Sequence, residues 1–201
     1  SDVPLQIDSS DPKALEAALR VYNGKPLINS VNGEEANLSV ILPLVKKYGA
    51  AVIGLTLDEA GLPTSAGERV EVAEKIIQRA EMLGIRRRDI VIDCLTLTVS
   101  AQQDQALETL EAVRQVKAKY GVKTVLGVSN ISFSLPDRER INVSFLTMAM
   151  YAGLDLPIIN PNNATMMGAV RAFNVLSNQD EHSAEYIQHH GNAEPVKPTP
   201  A

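Results

Sequence analysis

Several features that mark other protein classes are scarce in this chain. One cysteine among 201 residues excludes an internal disulfide and is typical of a reducing compartment. No secretory signal peptide is recognisable, and no apolar run is long enough to span a bilayer. Lysine and arginine number 19 against 24 acidic residues, which argues against nucleic acid or an anionic membrane as the main partner. We therefore expect a cytoplasmic protein.

Motifs for phosphate, metal or thiol chemistry are also missing. Neither GxGxxG after a strand nor GxxxxGK[ST] occurs. The three histidines, His182, His189 and His190, all lie near the carboxyl end, far in sequence from Cys94. We expect Cys94 to face the helix layer and to pack as an ordinary apolar side chain. No metal site is predicted.

What the sequence does contain is a regular alternation of short apolar strands and helices. A helix after each strand implies right-handed crossovers and a parallel sheet. Pro43 interrupts the second helical pattern, so we expect regular helix there to begin near Leu42. The predicted barrel domain covers 1–190, and the Pro-rich stretch 191–201 is predicted to be a linker or disordered end. The six predicted strands are Leu5–Ile7, Pro26–Ile28, Ala50–Leu57, Ile90–Ile92, Thr124–Val128 and Leu156–Ile159.

Polar residues follow nearly every predicted strand at its exit end. Because side chains alternate along a strand, each of these polar residues shares a face with the apolar or polar residue two positions before it. In a closed barrel that face is the interior, so the polar tips would ring its carboxyl mouth. Helix capping or turn formation is the alternative role for each one. The pairs are Asp8 with Gln6, Asn29 with Leu27, Asp93 with Val91, and Asn130 with Val128.

Such a ring of side chains fits a ligand with an edge rich in N–H groups. Ionised Asp8 and Asp93 accept hydrogen bonds, whereas Asn29, Asn130 and Asn160 both donate and accept. Two carboxylates therefore suit a 2-amino-pyrimidinone.

One cation, Arg138, follows the fifth strand at a position suited to an anionic part of a ligand. A surface salt bridge with Asp137 or Glu139 explains this arginine equally well. A phosphosugar-type barrel enzyme that uses Arg138 is therefore an alternative reading, which phosphate-dependent binding would favour.

Six stretches together resemble the pterin-binding methyltransferase barrel, the methyltetrahydrofolate domain of cobalamin-dependent methionine synthases and of related corrinoid methyltransferases. The resemblance runs from about Leu5 to Gln188, and its more specific parts are GVSNISF and IDCLTLTVSAQQ. The other stretches are IDSSDPKALEAAL, KPLINSVNGE, AAVIGLTLD and FLTMAMYAGLDLPIINPN. The implied fold is a TIM-type (β/α)8 barrel of the dihydropteroate synthase-like group, represented here by about six βα units.

The resemblance also implies site residues. In that family a strand-end Asp, an Asn and a second Asp hold the pterin ring, and these fall on Asp8, Asn29 and Asp93. Asn130 of the GVSN stretch would reach toward N5 of the pterin, and Arg138 matches an arginine of the folate site. The remaining expected contacts are Gly127, Ser129 and Asn160.

The implied reaction moves the N5 methyl group of 5-methyltetrahydrofolate to cob(I)alamin carried by a separate corrinoid domain or protein. Asp93 and Asn130 are the expected catalytic residues. Homocysteine activation in this family needs a zinc site with several thiolates, which one cysteine cannot supply, so that half-reaction is not expected in this chain.

Two other readings stay open. Dihydropteroate synthases share the pterin pocket but carry a lysine after the strand-end serine and an Arg-x-His element at the last strand. This chain has Asn130–Ile131 and Asn160–Pro161 at those places, which favours methyl transfer. The second reading is a non-catalytic pterin-binding or assembly module.

A complete barrel of this type needs about 250 residues, and in the resembled family two further strands come first. We therefore expect an N-terminally incomplete barrel with free edges at Leu5–Asp8 and Leu156–Asn160. Copies of the chain should either associate through these edges or be only marginally folded. Such an arc should also bind methyltetrahydrofolate weakly. The interior side chains expected to be uncovered are Leu27, Val91, Val128 and Ile158.

Overall fold

The computed structural model describes residues 3–191. They divide into two compact units, one ending at Ile159 and the other beginning at Asn160. The first unit holds the sheet and the helices that follow its first five strands, and the second holds the last two helices described. The predicted barrel domain, 1–190, includes both units, and its boundaries remain a prediction. The predicted tail, 191–201, lies outside the described residues apart from Gly191.

Within residues 3–191 the strands form one six-stranded parallel sheet, as predicted. They pair in chain order without reversal. Since right-handed crossovers that all step in one direction place their helices on one face, this order is that of a barrel wall and not of a doubly wound sheet. The strands are β1 (Gln6–Asp8), β2 (Leu27–Asn32), β3 (Ala51–Leu55), β4 (Ile90–Asp93), β5 (Lys123–Gly127) and β6 (Leu156–Ile158).

Three of the described helices begin at residues whose side chains accept a hydrogen bond from the first turn, namely Asp11, Ser65 and Asn163. Asp11 accepts a hydrogen bond from the N–H of Lys13 at 2.9 Å, and Ser65 forms a capping box with Glu68. None of the helices described is long and apolar enough to cross a membrane. They are α1 (Pro12–Val21), α2 (Glu35–Tyr48), α3 (Ala66–Met82), α4 (Gln105–Tyr120), α5 (Arg138–Ala152), α6 (Ala164–Leu176) and α7 (Ala184–His190).

Helix α2 corrects the prediction that regular helix starts near Leu42. It begins seven residues earlier, at Glu35, and passes through Pro43. The carbonyl that loses its helical donor is that of Ser39, and both Ser39 and Pro43 are exposed, so water can satisfy it. Burial of Leu38 and Ile41 along the same helix outweighs the missing bond.

The two faces of the sheet are both apolar but differ in what they meet. The outer face packs under the helices, and its side chains are fully buried: Ile28, Val52, Ile92 and Leu126. The inner face carries a smaller cluster of Ile53, Val91 and Val125, with Leu27 and Leu55 packed against it. Cys94 is fully buried, as predicted, and burial raises the pKa of its thiol.

The exit from β5 differs from the prediction of a strand through Val128. The strand ends at Gly127, and Val128–Ser132 form a 3₁₀ turn. Because such a turn has about three residues per revolution, the alternation of a strand stops there. Val128 is therefore fully buried while Asn130 is exposed, and the prediction that they share a face is wrong.

Among the strands of residues 3–191, β1 pairs only with β2, and β6 only with β5. Ile158 on β6 is 42% exposed and Leu27 is half-buried, in line with an uncovered inner face. Val91 and Val128, expected to be uncovered as well, are buried. Val91 lies in the middle of the inner cluster, and the 3₁₀ turn carries Val128 away from that face.

Candidate functional site

The inner face carries Asp8 and Asp93 at the carboxyl ends of β1 and β4, whereas Asn29 lies in the middle of β2, because that strand continues to Asn32 instead of ending at Ile28 as predicted. Asp8 and Asn29 are register partners, and the amide nitrogen of Asn29 donates to Oδ2 of Asp8 at 3.0 Å. Beyond Asn29 the register slips, and β2 re-pairs from Val31 onward. One amide hydrogen of Asn29 is thus used by Asp8, which leaves its other N–H and its carbonyl oxygen for a ligand.

Asp93 lies on the same face, two strands away from Asn29. Asn29 is level with Ile53 of β3, whereas Asp93 is level with Leu55, one pleat repeat nearer the mouth. Two strand spacings amount to about 10 Å. A flat ligand that lies across β2, β3 and β4 can therefore meet both side chains.

The environment of Asp93 is apolar on both sides. Its register partners are Leu55 on β3 and Val125 on β5. Burial raises the pKa of Asp93 to about 6, although the N–H of Leu95, 2.8 Å from Oδ1, favours the ionised form. No cation of the described residues contributes to that shift. Asp93 is therefore a carboxyl group without a charged partner.

Asn130 reaches the inner face by a route that strand alternation does not predict. It follows β5 on the 3₁₀ turn, and its side chain folds back over Gly127. A Cβ built on Gly127 would lie 3.1 Å from Nδ2 of Asn130. Gly127 continues the inner face from Val125, so the carboxamide of Asn130 lies at the mouth end of β5, one strand from Asp93.

Arg138 holds the segment that carries Asn130. Its Nη2 donates to the carbonyl oxygen of Ser129 at 2.9 Å, and its Nε donates to Oγ of Ser132 at 3.0 Å. The guanidinium also lies 4.7 Å from the ring centre of Phe133. The suggested salt bridge with Asp137 is not formed, because Asp137 pairs with Arg140. The predicted ligand contacts of Ser129 and Arg138 remain predictions.

Asn160 belongs to the second unit. Its Oδ1 accepts a hydrogen bond from the N–H of Asn162 at 3.0 Å, in the turn that leads to the N-cap of α6 at Asn163. This is the turn role that the sequence offers as the alternative for such residues. A ligand contact of Asn160 remains a prediction.

Sequence reasoning missed the polar layer directly behind Asp93. Leu95, which donates to Asp93, has a left-handed φ of 62°. Gln105 and Thr109 on α4 are buried, and they lie at positions i and i+4 of a stripe that continues at i+7 with Ala112 and at i+11 with Val116. Two polar residues on an otherwise apolar helical stripe are the signal that could have found them. Within 3–191 no cluster of three or more His, Cys, Asp or Glu side chains could hold a metal ion.

Comparison with known proteins identifies the family of the chain. Residues 1–160 match the family described as pterin binding enzymes. The chain belongs to the pterin-binding enzyme family. The predicted resemblance is therefore confirmed.

The similar sequences carry methyltransferase names. The pterin-binding chain is 38% identical over 173 residues to a methionine synthase of Mycobacterium leprae and 36% identical over 183 residues to one of Mycobacterium tuberculosis. It spans 14% and 15% of the length of these two relatives. A methylcorrinoid:tetrahydrofolate methyltransferase of Eubacterium limosum is 30% identical over 188 residues, which are 92% of this chain and 69% of that protein.

Solved structures establish the fold. A dihydropteroate synthase from Thermus thermophilus, crystallised with 4-aminobenzoate, superposes with a TM-score of 0.67 at 19% identity, over 87% of this chain and 71% of that one. A dihydropteroate synthase from Stenotrophomonas maltophilia has a TM-score of 0.67 at 18% identity, over 88% of this chain and 70% of that one. The predicted TIM-type barrel of the dihydropteroate synthase-like group, with six βα units, is thereby confirmed.

Proposed function

We propose that this chain binds 5-methyltetrahydrofolate at the carboxyl mouth of its sheet and transfers the N5 methyl group to cob(I)alamin carried by another domain or protein. The observation that carries the proposal is Asp93, a half-buried carboxyl group on the inner face that has no charged partner within residues 3–191. An acceptor in that setting suits the N–H-rich edge of a pterin. We also propose a cytoplasmic location, because a chain with a single cysteine is typical of a reducing compartment.

Recognition would be divided among three strands. Asp93 accepts from the ring's N–H edge, and Asn29 presents a donor and an acceptor side by side. Asp8 holds the Asn29 amide at 3.0 Å and so fixes which way that pair faces. Preorganised groups of this kind lower the entropy lost when the ligand binds.

In the methyl-transfer step, the N5 amine of the folate is the leaving group. The N5–C bond breaks, its electron pair stays on N5, and the methyl group passes to the acceptor. Without a proton N5 would have to leave as an anion, whereas an N5 that has gained a proton from water leaves as a neutral secondary amine, and general acid help typically gives about 10²–10⁴-fold. Asn130 does not titrate, but its carbonyl oxygen can accept from a protonated N5, with Asp93 in the same hydrogen-bond network. Cobalamin, when its carrier is docked, supplies the cobalt centre that takes the methyl group.

The name of the Eubacterium limosum relative describes the opposite direction, from a methylcorrinoid to tetrahydrofolate. Both directions pass through the same transition state, so the same residues serve both. The direction in the cell would then be set by the corrinoid partner and by the concentrations of the two folates.

A titration combined with a transfer assay tests the proposal. We expect the chain to bind 5-methyltetrahydrofolate in a calorimetric titration and to demethylate it in the presence of free cob(I)alamin, followed by the cobalamin absorbance. Binding without transfer would make the chain a pterin-binding module. Absence of binding would overturn the proposal.

Binding should depend on pH through Asp93. Since the pKa of its carboxyl is raised to about 6, the acceptor form is depleted below that pH and dominant above it. The association constant for methyltetrahydrofolate should therefore rise between about pH 5 and 7, by up to roughly tenfold per pH unit below the pKa. Titrations across this range, repeated with Asp93→Asn, separate Asp93 from titration of the ligand itself. Identical pH profiles for the two proteins would remove Asp93 from the site.

The free edges of β1 and β6 should govern the behaviour of the 201-residue chain in solution. We expect it to associate with rising concentration, because among residues 3–191 each of these two strands pairs with another strand on one side only. Ile158→Lys should weaken association, since a charge on an edge strand disfavours pairing. Leu176→Lys is the matched control, because Leu176 is 85% exposed but lies on α6. Sedimentation velocity measures both, and a monomeric wild type with a cooperative melt would contradict the prediction.

A further inference from the structure

A fully buried arginine, Arg69 of α3, lies behind the site. Its Nη2 donates to Oε1 of Gln105 at 2.7 Å and its Nη1 to Oγ1 of Thr109 at 3.1 Å. No carboxylate in residues 3–191 pairs with it, although Glu68 and Glu108 and the Cys94 thiol act on it electrostatically. Burial lowers the pKa of the guanidinium. Burying a charge that is held only by neutral acceptors lowers the stability of the fold, so a role in holding α3 against α4 does not by itself explain Arg69.

Thr109 extends this contact toward the mouth of the sheet. Its hydroxyl accepts from Arg69, and its own proton is within reach of two carbonyl oxygens, that of Gln105 at 2.9 Å and that of Leu95 at 3.0 Å. The carboxamide of Gln105 is fixed in turn, because its Nε2 donates to the carbonyl oxygen of Thr64 at 2.9 Å. The orientation of the Thr109 hydroxyl is thus set from α3 and α4 together.

Leu95 is the link between this layer and Asp93. Its carbonyl faces Thr109, and its N–H donates to Oδ1 of Asp93 at 2.8 Å. Leucine in the left-handed region, here with φ of 62°, is unfavourable and persists only where surrounding contacts hold it. Those contacts are the Thr109 hydroxyl at one end of the residue and Asp93 at the other.

We propose that Arg69, Gln105 and Thr109 are positioning residues, which hold the Leu95 backbone so that its N–H orients the Asp93 carboxylate toward the pterin. The inference rests on the proposed function, because the pterin is the ligand that Asp93 would meet. Arg69 acts at a distance, since it touches neither Asp93 nor the ligand position on the inner face. The competing role is simple attachment of α3 to α4.

The test is Thr109→Val, which keeps the shape of the side chain and removes the hydroxyl. Its dissociation constant for 5-methyltetrahydrofolate should rise about tenfold, and Thr109→Ser should return it to within about twofold, because small misplacements of a binding group carry large costs. Thr124→Val is the matched control. Thr124 is a fully buried threonine whose Oγ1 donates to the carbonyl of Gly153 at 3.0 Å, at the amino end of β5. It should lower the melting temperature without changing affinity.

The outcomes separate the two proposals. If the wild type fails to bind the folate, the proposed function falls and this inference with it. If the wild type binds and folded Thr109→Val binds equally well, the positioning role alone is overturned. Should Thr109→Val not fold, Gln105→Met gives the second test, since it removes one acceptor of Arg69 and leaves the Thr109 hydroxyl. A rise of about threefold in its dissociation constant supports the inference, and unchanged affinity overturns it.

Discussion

Asp93→Asn is expected to weaken binding of 5-methyltetrahydrofolate about 10–100-fold, because a hydrogen bond to a charged acceptor contributes roughly 1.5–3 kcal/mol. The substitution keeps the size of the side chain and an oxygen that can accept from the N–H of Leu95. What it removes is the charge, and it places an N–H where the ligand also presents one. Loss of affinity without loss of structure is therefore the expected result.

The same substitution should make the ligand-free protein more stable. A carboxyl group whose pKa is raised from 3.8 to about 6 binds its proton more tightly in the folded chain, so its contribution to stability is present below about pH 3.8 and lost as pH rises through 6. Above pH 7 the ionised group costs up to about 3 kcal/mol, which an amide does not. The free energy of unfolding of Asp93→Asn should thus exceed that of the wild type at pH 8, and the difference should disappear toward pH 4.

Asp89→Asn is the matched control, because Asp89 ends the 3₁₀ turn directly before the same strand. Burial there favours the neutral form, but ion pairs with Lys25 and Arg86 outweigh it and lower the pKa of Asp89. Its replacement should destabilise the fold at neutral pH and leave folate affinity unchanged. Urea denaturation at several pH values, together with calorimetric titrations, measures both effects. Equal stability and affinity for Asp93→Asn and the wild type would refute both parts of the prediction.

Asn130→Ala should lower the rate of methyl transfer about 10–100-fold while changing ground-state binding much less. The reason is that its carbonyl oxygen is asked to stabilise charge that appears on N5 only as the methyl group leaves, and removal of one such preorganised group costs about 10²–10³-fold in favourable cases. Single-turnover transfer to cob(I)alamin gives the rate, and titration gives the affinity. A variant with normal transfer and weaker binding would make Asn130 a simple ligand contact.

Gly127→Ala provides a graded form of the same experiment. Its Cβ would lie 3.1 Å from Nδ2 of Asn130, so the exposed amide must shift by a few tenths of an ångström. We expect a smaller loss of transfer rate, about two- to fivefold. Folding should be preserved, because the φ angle of Gly127 is −74°, which alanine also adopts. Gly168→Ala on α6 is the control, since nothing lies within 4 Å of its added Cβ.

Much of this architecture follows from strong sequence patterns. Short β-branched runs, separated by helices of clear periodicity, predict a parallel sheet in chain order, and alternation correctly places Asp8, Asn29 and Asp93 on one face. The side-chain directions of these three residues can be predicted because each depends only on the two or three neighbouring residues of its own strand. The same rule failed at Asn130, because the chain had already left the strand at Gly127.

Other features could not be predicted because they depend on contacts between distant segments. Helix α2 tolerates Pro43 since its apolar stripe is buried against the rest of the first unit, a tertiary effect that overrides local preference. The left-handed conformation of Leu95 is held by Thr109, which lies 14 residues away. From the sequence, Arg69 would be interpreted as one more surface charge on an amphipathic helix. The structure shows that it is buried and bonded to residues of α4.

The candidate contacts Asp8, Asn29, Asp93 and Asn130 come from β1, β2, β4 and the turn after β5, so no short stretch of chain holds more than a fragment of the site. A ligand that touches all of them would have measurable affinity only for molecules in which the first unit is folded throughout. By mass action it would then act as a clamp on the whole first unit, worth about 2.7 kcal/mol when present at 100 times its dissociation constant. Folate supply would in this way set the fraction of the chain that is folded as well as its turnover.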